Sequence, residues 1–248
     1  MFQSLLSGQF YLINFFPGES RMSCTFYSAD CLQQMKKLPS ESIDLLYFNP
    51  PYGITAQPWD EKLNWKQIFP ECFRLLKNTG MLVIHCSVPF NYTLIRDAPK
   101  PPNYSWYWNK KHPTTPLLAK IQPLRQVEEI LVWKKKQTTY YPQRIGTEKR
   151  LIKSCGITNY CNPVKAEAQV YKEVQGFYQT HYIECDKLYR NLATRPESMI
   201  ELFIKSYTKP GDTILDPTCH KGISGKVAKR LGRHWIGIDK YYYPTEIL

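Results

Sequence analysis

An apolar run, Ile43–Phe48, leads directly into Asn49-Pro50-Pro51-Tyr52-Gly53. Residues of these types in this order suit chemistry on an exocyclic amino group of a nucleic-acid base. Such an amine is a poor nucleophile, because its lone pair is delocalised into the ring. Two acceptors in fixed positions can hold its hydrogens while the nitrogen pyramidalises toward an electrophilic methyl group. The Asn49 side-chain carbonyl can be one. The Pro50 backbone carbonyl can be the other, because the following proline fixes its direction and brings no N–H of its own. Tyr52 offers an aromatic face for an unstacked base, a contact of ~1–3 kcal/mol. That offsets part of the few kcal/mol needed to extrude a base from a duplex. The same tetrapeptide also fits a plain proline-rich turn after a strand.

A second group of residues lies late in the chain: Leu215-Asp216-Pro217-Thr218-Cys219-His220-Lys221-Gly222-Ile223-Ser224-Gly225. It reads as a strand, a short loop and the start of a helix, and a helix N-terminus favours a ligand carboxylate. Gly237-Ile238-Asp239 then places an acid at the end of the next strand, where a ribose diol is bound in dinucleotide-binding sheets. Asp30 ends an early strand in the same way. Cys155, Cys161, His181 and Cys185 could be gathered around zinc, but the gap between the first two is not a usual knuckle spacing, so no metal is expected. The eight cysteines are scattered and read as reduced thiols of a cytoplasmic or nuclear, not secreted, protein. The apolar start, Met1–Phe16, lacks the basic residues of a secretory signal.

The elements that must position these residues alternate. Strands are predicted over Cys24–Ser28, Ile43–Phe48, Met81–Cys86, Tyr104–Trp108, Glu129–Trp133, Thr213–Leu215 and His234–Ile238. Helical spacing is present over Leu32–Leu38, Trp65–Leu76, Pro196–Ser206 and Ser224–Leu231. Asn78-Thr79-Gly80 is expected to close the second of these, with Gly80 at positive φ. Alternation of this kind implies an α/β fold with a mostly parallel sheet covered on both faces. Ligands of such sheets bind at the carboxyl ends of the strands, where Asp30, Asn49–Tyr52, Asp216–Gly225 and Asp239 all fall. Residues 1–21 read as an extension ahead of the first convincing strand.

The 248 residues suit one α/β domain with an insertion, and no apolar run is long enough for a membrane span. The net charge of +12 is concentrated in residues 100–195, which hold seventeen Lys and Arg against seven Asp and Glu. Aromatic residues interleave with them, among them Trp106, Trp108, Trp133, Tyr140 and Tyr141, a composition suited to phosphates and unstacked bases. Within it Lys134, Lys135 and Lys136 form a candidate phosphate-binding run. Residues 134–190 are polar, basic and weakly periodic and read as an inserted lobe.

Together these residues resemble the beta-class DNA amino-methyltransferases, the adenine-N6 and cytosine-N4 enzymes of restriction–modification systems, phages and large DNA viruses. The resemblance runs through Asp30-Cys31-Leu32, Ser42–Leu45, Asn49–Gly53, Gly80–Ile84, Pro89-Phe90, Tyr104–Trp108, Pro123-Leu124-Arg125, Glu129–Trp133 and Ala193–Pro196. It implies a Rossmann-like class I methyltransferase sheet in circularly permuted order, the catalytic loop preceding the cofactor loop. Residues 22–133 and 191–248 would form its two halves around a target-recognition insertion at 134–190. It also implies S-adenosylmethionine as methyl donor and double-stranded DNA as partner, with a homodimer or heteromer as the assembly. Asn49, Pro50, Pro51 and Tyr52 would be catalytic. Asp30 and Cys31 would contact the cofactor adenine and Asp239 its ribose. Thr194, Arg195, Pro196, Asp216, Pro217, Thr218 and Gly222 would flank its methionine end. Asn at the first tetrapeptide position implies adenine, and a tetrapeptide ahead of the glycine loop favours DNA enzymes over protein-glutamine and RNA-guanine ones.

The chain departs from the family in that loop, where Thr218 stands for Phe and His220 for the first Gly. A histidine at a position needing positive φ implies strain of roughly 1–2 kcal/mol, with Lys221 beside it as a candidate partner of the cofactor carboxylate. The alternatives are a catalytically weak or inactive DNA-binding relative, or an enzyme of cytosine N4 or RNA.

Overall fold

The computed structural model describes residues 10–13, 22–114, 116–154, 170–185 and 195–241; Thr194, Cys155 and Cys161 lie outside them. Eleven described strands are present: β1 (Phe10–Ile13), β2 (Cys24–Ser28), β3 (Ile43–Phe48), β4 (Leu76–Cys86), β5 (Tyr104–Thr114), β6 (Arg125–Lys134), β7 (Arg144–Ser154), β8 (Val170–Tyr178), β9 (Tyr182–Glu184), β10 (Thr213–Asp216) and β11 (His234–Asp239). The helices are α1 (Cys31–Met35), α2 (Trp65–Leu75), α3 (Phe90–Asp97), α4 (Glu197–Tyr207) and α5 (Ile223–Arg230). Nine strands form one sheet in the order β1-β2-β11-β10-β3-β4-β6-β5-β9.

Strands β2, β11, β10, β3 and β4 are mutually parallel. Their residues are apolar on both faces, as a sheet covered on both sides requires. In β3, Leu45 and Tyr47 enter one core with Phe203 of α4 and Val227 of α5. Leu46 and Phe48 enter the other with Met35, Trp65 and Phe69 of α1 and α2. From β10 the chain steps outward through α5 to β11. From β3 it steps the other way through α2 to β4. The direction reverses between β10 and β3, and this switch point is where the fold opens a crevice at the strands' carboxyl ends. The strand feeding the second loop thus comes late in sequence yet lies centrally, as in the permuted methyltransferase sheet.

Several expectations are corrected. Helix α2 ends at Leu75 and Leu76 is already extended, so Asn78-Thr79-Gly80 lies inside β4 rather than in a left-handed helix cap. Gly80 is needed for proximity instead: a Cβ there would sit 2.9 Å from Leu76 Cδ2 and 3.0 Å from the Ile43 carbonyl oxygen. Within the extension 1–21, Phe10–Ile13 forms a strand that pairs antiparallel with β2. Helix α3, which follows Pro89, has no counterpart among the sequence expectations.

The second compact unit spans Pro142–Thr180, narrower than the 134–190 read from sequence, and contains the antiparallel pair β7–β8. Lys134–Lys136 belong to the main unit. Lys134 pairs with Met81 midway along β4, and the N–H groups of Lys135 and Lys136 bond the Gly80 and Asn78 carbonyls nearer its start, away from the crevice. Lys135 bonds the Leu76 carbonyl at 2.6 Å and Glu41 at 2.9 Å. Lys135 thus ties the end of β6 to the start of β4. No helix among the described residues is long and apolar enough to cross a membrane.

Strand β11 carries a sharp packing constraint. A Cβ on Gly237 would fall 1.9 Å from Cη2 of the buried Trp235 indole, two residues back on the same face. Gly237→Ala should therefore overpack this core and lower stability by ~1–3 kcal/mol, read as a drop in the denaturant midpoint.

Candidate active site

A cavity of about 210 Å³ opens at the carboxyl ends of β2, β3, β10 and β11, its wall including Asp30, Asn49, Tyr52, Thr218, His220 and Asp239. Residues separated by most of the chain meet here because the switch point places β3 beside β10. The two loops are tied directly: Thr218 Oγ1 donates to the Asn49 backbone carbonyl at 2.9 Å.

The catalytic-loop candidate is anchored just past Tyr52. Gly53 takes φ +65, and the buried Asp60 carboxylate accepts from the N–H groups of Gly53, Ile54 and Thr55 at 2.8, 2.9 and 2.7 Å. Burial opposes the Asp60 charge, but these donors and the Thr55 hydroxyl hold its pKa below the usual value. One face of Tyr52 stacks on Phe90, with ring centroids 5.0 Å apart and planes 24° apart. Its hydroxyl accepts from Arg195 at 2.8 Å. Arg195 also pairs with Glu128 at 3.0 Å and lies over the Trp108 ring at 5.3 Å, while Glu128 takes Lys110 at 3.0 Å. Burial raises the Tyr52 pKa well above its ordinary value, so the hydroxyl stays protonated.

The second loop departs from the sequence reading in one respect. Asp216 is 3% exposed and lines only a smaller neighbouring cavity of about 30 Å³. Its carboxyl accepts from the Ser224 hydroxyl and from Thr218 N–H at 3.3 Å, so it braces the loop from inside. Burial pushes its pKa up to about 7. His220 sits at φ +49, the left-handed conformation that its position in the motif implied. Its N–H donates to Asp239 Oδ2 at 2.8 Å, and Tyr241 N–H donates to Oδ1 at 2.8 Å. Burial lowers the His220 pKa, so the ring is neutral near pH 7. Gly222, at φ +80, caps α5.

Of the sequence candidates, Asp30, Cys31, Asn49, Pro50, Pro51, Tyr52, Arg195, Pro217, Thr218 and Asp239 line the main cavity. Asp30 also caps α1 by accepting from Gln33 N–H at 2.9 Å. Pro196 and Gly222 shape helix starts behind the walls without lining either cavity. Asp60, Glu128, Lys110 and Tyr47 were missed, because isolated polar residues in strands and loops carry no spacing signal.

The residues present fit an S-adenosyl cofactor. Carboxylates stand at two strand ends of an otherwise largely apolar cavity. In the smaller cavity the Tyr47 hydroxyl and Arg195 Nε are buried without a hydrogen-bond partner among the described residues, beside Lys221. Buried donors left unpaired are costly, so this set is suited to a ligand carboxylate. No cluster of metal-binding side chains occurs among the described residues.

Fold and site define a protein of the amino-methyltransferase class. The DNA methylase family model matches residues 43–247, and the chain belongs to that family. It is 28% identical over 233 residues to the DNA adenine methyltransferase YhdJ of Escherichia coli (strain K12), covering 87% of this chain and 78% of that one. It is 26% identical over 250 residues to the type II methyltransferase M.HinfI of Haemophilus influenzae, covering 87% of this chain but only 64% of that one. The crystal structure of the M1.HpyAVI–SAM complex has the same fold, with TM-score 0.59 and 20% identity over 90% of this chain and 97% of that one.

Two outcomes follow from the buried groups. Asp216 has its folded pKa raised above the unfolded value of 3.8, so its neutral form stabilises the fold at low pH. That contribution is lost as pH rises from about 4 to about 7. The melting temperature of Asp216→Asn relative to wild type should therefore climb across this window and then level off. Tyr52→Phe removes one partner of the buried Arg195, leaving Glu128, and should cost ~1–3 kcal/mol in thermal unfolding while keeping the ring.

Proposed function

We propose that the protein transfers a methyl group from S-adenosylmethionine to the N6 amino group of an adenine flipped out of double-stranded DNA. The observation that carries this reading is the joining of the Asn49–Tyr52 loop to the Thr218–His220 loop across one cavity at the switch point. The methyl donor is S-adenosylmethionine, which supplies an electrophilic methyl group. Asp239 is placed to hold its ribose, Asp30 and Cys31 its adenine. Arg195, Tyr47 and Lys221 would face its carboxylate, with Pro217 and Thr218 forming the loop beside it.

The Asn49 side-chain carbonyl and the Pro50 carbonyl accept from the two amino hydrogens of the target. Held in this way, the nitrogen lone pair would be free to form a bond to the methyl carbon as the S–CH3 bond breaks, the sulfur keeping the bonding pair, and the cationic amine would then lose a proton to water. Because Phe90 covers one face of Tyr52, the base stacks on the other. The identity of Asn49 favours adenine over cytosine, as does the likeness to the DNA adenine methyltransferase YhdJ. The unit Pro142–Thr180 is assigned to target recognition, with exposed Ile145, Phe177 and Tyr178 among basic residues.

Calorimetry should show S-adenosylmethionine binding to the purified protein, and tritium from labelled cofactor should enter duplex DNA. Digestion to nucleosides should yield N6-methyladenine; N4-methylcytosine would overturn the adenine assignment. Asn49→Ala should leave folding and cofactor binding near wild type and lower turnover by about 10²–10³-fold, the scale for one lost transition-state contact.

A further inference from the structure

Residues 116–124, between β5 and β6, project from the same end of the sheet as the catalytic loop. Strand β6 runs antiparallel to β4 and pairs Glu129 with Cys86 at the carboxyl end of β4, so Arg125–Glu128 extend beyond it. Within the loop, Leu117 is 93% and Ile121 78% exposed, the largest exposures of any described large hydrophobic side chains. Single exposed apolar residues are ordinary on a surface. These two are held out by a tight turn: Ala119 N–H bonds Pro116 O at 3.1 Å, and the N–H groups of Ile121 and Gln122 bond Leu118 O at 2.9 and 3.0 Å.

The stem of the loop shares its residues with the site. Thr114 Oγ1 donates to the Arg125 carbonyl at 3.0 Å, and Lys110 joins Thr114 at 3.3 Å to Glu128 at 3.0 Å. Glu128 holds Arg195, which holds Tyr52. Residues 110–127 contain four Lys and Arg and no Asp or Glu.

We propose that Leu117 and Ile121 form an apolar wedge that enters the base stack of duplex DNA beside the target nucleotide. This inference rests on the methyltransferase reading above. A flipped base leaves a gap between its former neighbours, and branched apolar side chains are suited to fill such a gap without demanding a hydrogen bond. Lys111, Lys120 and Arg125 flank the wedge with the positive charge that the adjoining phosphates require. No new covalent step is involved; the wedge lowers the cost of the extruded state.

The test is the double variant Leu117→Ser/Ile121→Ser, on an oligonucleotide duplex carrying the sequence that the wild type is found to methylate. The target is either paired or placed opposite an abasic site. The variant should melt as the wild type does and methylate the paired duplex at least about tenfold more slowly, the factor for 1.4 kcal/mol. The abasic duplex, already unpaired, should restore its rate to near wild type, and Leu117→Met/Ile121→Met should keep most activity on the paired duplex. Unchanged rates, or equal losses on both duplexes, would overturn the wedge alone. Loss of a concentration-dependent dimer in the serine variant, without the paired-target defect, would overturn it in favour of a self-interface. No methyl transfer by the wild type to any DNA would overturn the functional reading and the wedge together.

Discussion

The ends of β3 and β10 are far apart in the chain and adjacent at the centre of the sheet, and the hydrogen bond from Thr218 to the Asn49 carbonyl fixes one loop against the other. Both loops line the cavity that opens at this junction. Asn49 cannot be displaced without disturbing the loop that follows β10, and the reverse holds too. Asp216 and Ser224 brace that loop from the core side, while Asp239 holds it through the His220 N–H.

Tyr52 depends on a second arrangement, a line of buried charge running Lys110–Glu128–Arg195. Burying ions is expensive unless each is paired, and removing one partner of such a set is more damaging than replacing the set by apolar residues. Here the charges come from β5, β6 and the segment before α4. The network therefore links three elements and gives the aromatic ring of the Asn49–Tyr52 loop one orientation. Phe90 fixes the same ring from the other side.

The altered loop illustrates how a local penalty is offset. A left-handed histidine costs roughly 1–2 kcal/mol. A hydrogen bond to a charged acceptor contributes ~1.5–3 kcal/mol, and the His220 N–H makes one to Asp239. The two are of similar size, so the backbone turn survives without its glycine. The replacement of Phe by Thr at 218 has a clearer consequence, since only a hydroxyl can make the bond to Asn49.

Much was legible in the sequence, for a physical reason. Continuous apolar runs such as Ile43–Phe48 identify strands buried on both faces, and Asn-Pro-Pro-Tyr or Asp-Pro-Thr at their ends marks the carboxyl edge where ligands bind. Chain order alone put the Asn49–Tyr52 loop ahead of the Asp216–Gly222 loop. The sequence was silent where the signal lies in distance across the fold. Gly80 reads as a helix stop, yet it is a close approach inside β4, visible only once Ile43 lies beside it. Lys134–Lys136 read as one basic run, and only the fold shows that the Lys135 side chain is taken up by Glu41 and the Leu76 carbonyl. Glu128 and Tyr47 look like ordinary strand residues, and only packing brings them to Arg195. Composition and periodicity report what each residue prefers; which residues become neighbours is decided by strand order and direction, and these follow from burial of both sheet faces at once.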